Sequence, residues 1–240
     1  MLRVLFLLLA ATPALAGVVY DFVTTVETSR FTESVQGRVW AEGEAYRAEL
    51  QRGGKTQVVI SRDADENVTF VDPEKQTWSN RSRVGTVLSS SLFLWPVTRS
   101  RLAGPPQIAH SRRAAVEIAG RQAVPHTIDV SFAVKGDMGA DGTYHVTVRV
   151  WSVEDLPPLP MKSELRTGYA AVDTRLRPIF AEIKGMVVRH ELEVTRTLAG
   201  GPPQTERTVT KVTRLEQQPV PPAQFEVPAT FTYAGPVAAK

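Results

Sequence analysis

The stretch whose reading decides the fold is "VQGRVWAEGEAYRAELQRGGKTQVVISRDADENVTFVDPEKQTWSN", Val35 to Asn80. Val35, Val39 and Ala41 fall on one side of an alternating pattern, and Arg38, Trp40 and Glu42 fall on the other. That period of two marks a half-buried strand. Gly43-Glu44 reads as a tight turn into "AYRAELQ", and Gly53-Gly54 as another into "TQVVISR". Asp72-Pro73 supplies turn chemistry between "NVTFVD" and "QTWSN". Short connections make successive strands antiparallel neighbours. Trp40, Tyr46, Phe70 and Trp78 stud this meander, which holds no cysteine and no histidine.

Upstream, "VVYDFVTTVETSRF" alternates in the same way, with Val18, Tyr20, Phe22 and Val26 on one face. Downstream, "VGTVLSSSLFLWPV" is apolar, lacks a period and ends at Pro96. It is expected to form a short apolar helix or loop, about 86–95, tucking Leu92, Phe93, Leu94 and Trp95 against the sheet. Gly104-Pro105-Pro106 is the best internal break. Strands then resume, with "AAVEIAG" and "AVPHTIDVSFAVKG" paired across Gly120. "GDMGADG" turns a long hairpin, and Gly200-Gly201-Pro202-Pro203 turns a second one.

Between these hairpins lies the main helix, "AAVDTRLRPIFAEIKG", expected at about 172–184. Val172, Leu176, Ile179, Phe180 and Ile183 form an apolar stripe at helical spacing. Asp173 suits its start and Gly185 its end. Pro178 predicts a kink, or a start near Arg177. The greasy stripe needs a surface, most simply the concave side of the sheet. "FEVPATFTY" reads as a terminal edge strand, and residues 234–240 as a frayed tail.

The first residues, "MLRVLFLLLAATPALAG", carry Arg3, an apolar run from Leu5 to Ala11, and a small-residue cleavage pattern before Gly17. They read as a signal peptide, residues 1–16, too short to span a bilayer. With no cysteine after the cleavage site, a lipid anchor is not expected. The mature chain, 17–233, is expected to be one soluble exported domain with no transmembrane segment.

With 28 basic and 25 acidic residues scattered along the strands, no basic face is concentrated for nucleic acid. Zero cysteines exclude thiol catalysis and thiolate metal sites. His110, His126, His145 and His190 share no metal-ligand spacing and read as surface or rim residues. No G-x-S-x-G elbow occurs, and no serine is matched to a histidine and an aspartate. "RDADEN", residues 62–67, lacks the glycine and the distant glutamate of a calcium loop. The expectation is no enzyme, no metal and no cofactor.

What is left is apolar and aromatic. Aromatic residues fall on both faces of the sheet, and in a half-open sheet they are candidates for a pocket that takes an apolar ligand. The candidate lining residues are Trp40, Trp78, Phe93, Trp95, Trp151 and Phe180.

The order of elements resembles the LolA/LolB-like superfamily of bacterial periplasmic proteins. Gly37, Arg47, Asp63, Asp72 and Trp78 occupy the loose pattern of its opening strands. In the second half Trp151, Leu156, Pro157, Lys184, Gly185, Phe225 and Pro228 fit an exported subgroup without an assigned activity. The resemblance implies a strongly curved antiparallel half-barrel, mainly β, with helices on its concave side. In the carriers of that family the hollow holds lipoprotein acyl chains. Here the resemblance implies a protein of the Gram-negative periplasm that binds an acyl chain, lipid or lipoprotein in the concavity. The alternative is a non-catalytic envelope module that pairs with a protein partner through a sheet edge.

Overall fold

The computed structural model describes residues 17–62, 67–82, 92–93, 101–137, 140–158 and 165–235. The reading of 1–16 as a signal peptide, Trp95, and most of the 86–95 segment lie outside them.

The first six strands follow the meander expected from the opening stretch: β1 (Val18–Glu27), β2 (Thr32–Glu42), β3 (Ala45–Arg52), β4 (Lys55–Ser61), β5 (Asn67–Asp72) and β6 (Thr77–Ser82). Each pairs antiparallel with the next. Short pieces follow: β7 (Leu92–Phe93), β8 (Arg101–Leu102), β9 (Gln107–Arg112) and β10 (Val116–Ile118). Two long hairpins complete the sheet, β11 (Arg121–Asp137) with β12 (Ala140–Val153), and β14 (Met186–Leu198) with β15 (Gln204–Gln217). Between the hairpins lie β13 (Leu165–Arg166) and the helix α1 (Ala170–Glu182), and β16 (Thr232–Tyr233) closes the chain.

The main sheet runs β10-β11-β12-β14-β15-β1-β2-β3-β4-β5-β6-β16, with β8 and β9 also on β11. It is antiparallel except where β16 pairs parallel to β6. The fold is therefore mainly β, one large curled sheet with one helix among the described residues. Its curl has visible causes. Register shifts lie between Asp21 and Phe22 on the β1–β15 ladder and between Trp151 and Ser152 on the β12–β14 ladder. An extra residue in one strand bends it and adds twist. The hairpin at Ala119-Gly120 has positive φ at both positions (50° and 73°), the turn whose twist matches its strands.

Register defines two faces. On one face Phe70, Val59, Ala48, Val39 and Tyr20 lie side by side across β5 to β1. The same face passes through Phe22 and Val212 to Thr210, His190, Val150 and His126. This inner face carries two apolar clusters. One joins β1–β5 to Ala123, Val153, Leu156 and Met186. The other joins Ile128, Val130, Val146, Val148, Leu192 and Val194 to Tyr169, Val172, Leu176 and Phe180 at the helix.

The opposite face is covered differently at its two ends. Over β1–β6 lies the C-terminal segment, whose Val220 and Phe225 are buried against Val19, Val58, Ile60 and Val71. Arg47 and Arg62 tie it down by donating to the carbonyls of Gln224 and Phe225. Over β12–β15 that face is a ladder of charges. The Glu191 carboxylate, 6% exposed, accepts from Arg189 at 2.8 Å and lies 3.6 Å from both Arg149 and Arg207. Thr147 donates to Asp129 at 2.8 Å one row away.

Three sequence readings need correction. Within the 86–95 segment, expected to be a helix or loop, the described Leu92–Phe93 form a short strand parallel to Leu165–Arg166. "FEVPATFTY" is not one edge strand: a 3-10 turn at Pro222–Phe225 precedes the two-residue β16. Its prolines and its apolar residues serve as a cover instead. The helix starts at Ala170, two residues earlier than expected, and runs through Pro178 unbroken to Glu182.

Candidate functional site

The inner face is the candidate site, and α1 is its described cover. The helix begins without a side-chain cap at Tyr169. Asp173 takes over from inside the first turn. Its carboxylate accepts from the Thr167 backbone N–H at 2.8 Å, the Thr167 hydroxyl at 2.7 Å and the Gly168 N–H at 3.2 Å. A carboxylate there also faces the positive end of the helix dipole. The far end stops before Gly185, whose φ of +79° an L side chain rarely adopts. An added Cβ would meet the Val153 carbonyl oxygen at 2.1 Å, so the chain passes tightly between the helix end and β12.

Between these ends the contact with the sheet is apolar. Val172, Leu176 and Phe180 are buried at i, i+4 and i+8, and Ile179 and Ile183 pack beside them. Phe132 extends the contact by stacking on Tyr144 at 5.0 Å and meeting Tyr169 edge-on at 5.4 Å. Polar ties occur at the rim, where Arg175 donates to the Pro106 carbonyl and Glu182 lies 3.8 Å from His110.

Polar atoms nevertheless occur on this face. His126 and His190, expected at the surface, are only 2% and 5% exposed. They flank Val150 on neighbouring strands, because β11, β12 and β14 bring positions 126, 150 and 190 into one row. His126 Nδ1 lies 3.2 Å from His110 Nε2, while His126 Nε2, His190 Nε2 and the buried Ser152 hydroxyl have no hydrogen-bond partner among the described residues. Burial pushes the His190 pKa down to about 4, against a small opposing pull from Glu191. Burial is also the main cause that lowers His126, helped by His110 and Arg112. Both rings are thus neutral near pH 7. "VRHELEV" gave no hint of this, since charged neighbours on one face of a strand do not report the other face.

Four of the six predicted lining residues, Trp40, Trp78, Trp151 and Phe180, are described with their side chains, and these do not form one wall. Phe180 faces the inner sheet beneath α1. Trp40 and Trp78 lie on the opposite face, under the C-terminal segment, where Trp78 packs on Tyr233 at 4.5 Å. There an open cleft of about 590 Å³ runs between Ile60, Thr69, Trp78 and Asn80 on the sheet and Val227, Pro228 and Phe231 on the covering segment. Trp151 stands under the Arg189 guanidinium, 4.7 Å from the ring centroid, and its other side touches the inner cluster. Phe93 is placed on β7, and Trp95 lies outside the described residues. Alternation had put Trp40 on the polar side of its strand; what was missed is that residues 220–231 return to cover that side.

Ser131 Oγ and His145 Nδ1 are 2.9 Å apart across β11 and β12. The nearby Asp129 accepts from the Thr147 hydroxyl at 2.8 Å. Among the described residues no three His, Asp or Glu side chains are placed to hold a metal ion. None of the described helices is long and apolar enough to cross a membrane.

No family model matches the chain, and no curated protein matches it. Among solved structures it is similar to a LolA superfamily protein from Nitrosomonas europaea, at 6% identity and a TM-score of 0.38, over 90% of this chain and 91% of that one. It is also similar to a domain named for outer membrane lipoprotein sorting, from Vibrio parahaemolyticus, at 9% identity and a TM-score of 0.32, over 89% and 91%.

Proposed function

We propose that this chain is an exported, periplasmic, non-catalytic protein that holds an apolar ligand against the inner face of its sheet. The ligand class is an acyl chain, a lipid or the acylated end of a lipoprotein. One observation supports the reading above others: the inner face carries two large apolar clusters, one reaching Phe70 on β5 and the other Ile128 on β11, and α1 packs on the second, over β11, β12 and β14. Since α1 meets the sheet through an apolar seam with polar ties at its rim, it can lift without leaving buried charges unpaired. An acyl chain replacing its side chains gains about 0.8 kcal/mol per buried methylene.

The edge-pairing alternative has less support. The outer side of β11 is occupied in turn by β8, β9 and β10, and β16 lies along β6. Short strands on an edge are a device that blocks further pairing.

The test is a titration of delipidated protein with a fluorescent long-chain fatty acid. Saturable binding, displaced by a diacylglyceryl peptide, is expected. Leu176→Asp on the buried stripe should change the affinity, and Thr174→Asp on the exposed side of α1 should not. No saturable binding by either amphiphile would overturn the proposal.

A further inference from the structure

The cleft on the face opposite α1 is polarised along its length. Its floor is one cross-strand row: Ile60 on β4, Thr69 on β5 and Asn80 on β6. Arg62 follows Ile60 by two residues, and Trp78 precedes Asn80 by two. Because β4 and β6 both run antiparallel to β5, these offsets put Arg62 and Trp78 at opposite ends of the floor. The roof follows the same axis. It begins at the buried Phe225, whose carbonyl accepts from Arg62 Nε at 3.0 Å. It ends at Phe231, just before Thr232 and Tyr233 pair with Thr77 and Trp78. One end is therefore cationic and the other aromatic, with Val227 and Pro228 between them.

The polar groups of the cleft are arranged to donate. The Thr69 hydroxyl donates to Asn80 Oδ1 at 3.2 Å, so the Asn80 side-chain amide turns its N–H donors to other partners. Arg62 carries the one charge among the described residues that line the cleft. Its planar guanidinium matches the paired oxygens of an oxyanion, and its bond to the Phe225 carbonyl holds it at the wall. At the far end the half-buried Trp78 packs on Tyr233 at 4.5 Å, which fixes the indole. The volume, about 590 Å³, falls within the range of roughly 300–1,000 Å³ that small-molecule sites occupy.

We propose that this cleft is a second binding site, which takes a small anionic amphiphile. A carboxylate or sulfonate is held by Arg62 and Asn80, and an apolar ring body lies along Pro228 toward Trp78 and Phe231. The orientation follows from the two ends. Reversed, the anion would lie among aromatic rings, away from the cation. A neutral molecule with the same rings gains only the aromatic end. The site is on the other face of the sheet from the acyl-chain site proposed above and does not rest on that reading.

The test uses two dyes with one ring body, anionic 8-anilinonaphthalene-1-sulfonate and neutral N-phenyl-1-naphthylamine. In NMR titrations of the full chain, the anionic dye is expected to shift the amide signals of Thr69, Asn80, Ala229 and Phe231 and the Trp78 indole N–H. Arg62→Gln should weaken it roughly tenfold or more and leave the neutral dye unaffected. Because that change also removes the tie to Phe225, Ala229→Glu supplies a second arm. It adds a negative charge to the exposed roof, keeps the tie, and should likewise weaken only the anionic dye. Shifts confined to the α1 side, equal affinity of the two dyes at the cleft, or an anionic-dye affinity unchanged in either variant would overturn the proposal. Leu176→Asp, on the inner face, should leave the cleft shifts as they are, so this site and the acyl-chain site fail separately.

Discussion

Gly37 is a strand residue without a side chain because its place is taken. The ring of Phe22, its cross-strand partner on β1, lies where a Cβ would go, 2.6 Å from that point, and the Glu49 carbonyl oxygen is 2.8 Å away on the other side. Gly37→Ala should therefore cost about 1–3 kcal/mol by overpacking, measured by urea unfolding. Gly104→Ala, where nothing lies within 4 Å, should be near neutral, within roughly 0.5 kcal/mol. Glu191 poses the opposite case, a buried carboxylate shared by three guanidiniums that are each more than a third exposed. Removing it by Glu191→Leu leaves the cations partly hydrated, so the loss is below that of a fully buried pair, about 1–3 kcal/mol. It should shrink in high salt. An equal loss at low and high salt would contradict the assignment. His190 makes stability depend on pH. Its folded value lies below its unfolded one, so its contribution is complete above about pH 6.5 and is lost on acidification toward pH 4. Between pH 7.5 and 5.0 that amounts to about 2 kcal/mol, and chemical denaturation at the two pH values measures it.

At the scale of elements, α1 depends on its buried stripe. Leu176→Ala and Phe180→Ala should each cost about 2–5 kcal/mol if the helix is integral to folding. A smaller global loss with selective exposure of residues 170–182 is the outcome that fits a liftable helix, and limited proteolysis distinguishes the two. Asp173→Asn should loosen the start of α1 by about 0.5–2 kcal/mol, since three donors from Thr167 and Gly168 converge on its carboxylate. The C-terminal segment is the other separable element. It lies on the far face, held by Phe225 and by the carbonyl contacts of Arg47 and Arg62.

For the whole molecule, the curl of one sheet creates two surfaces with different covers. The meander and both hairpins were legible because period-two alternation and paired turn residues are local signals. Gly53-Gly54 and Gly120 announce their turns by the positive φ that glycine adopts readily. The helix was legible from its stripe, and Pro178 misled because it lies on the exposed side, where the lost hydrogen bond is tolerated. What stayed hidden was long-range. Nothing near Trp40 or Trp78 announces that residues 220–231 will cover them. Nothing near His126 says that it will share a row with His190, 64 positions away. Those facts depend on register and on which side each cover takes, so the candidate site was legible as a composition but not as a place.

The most direct measurement of the central claim is native mass spectrometry of the protein purified from its native cells under gentle conditions. The account predicts a population carrying the mass of one acyl-bearing molecule, removed by delipidation and restored by adding lipid extract. A single bare mass that no lipid extract shifts would show that this hollow carries no cargo.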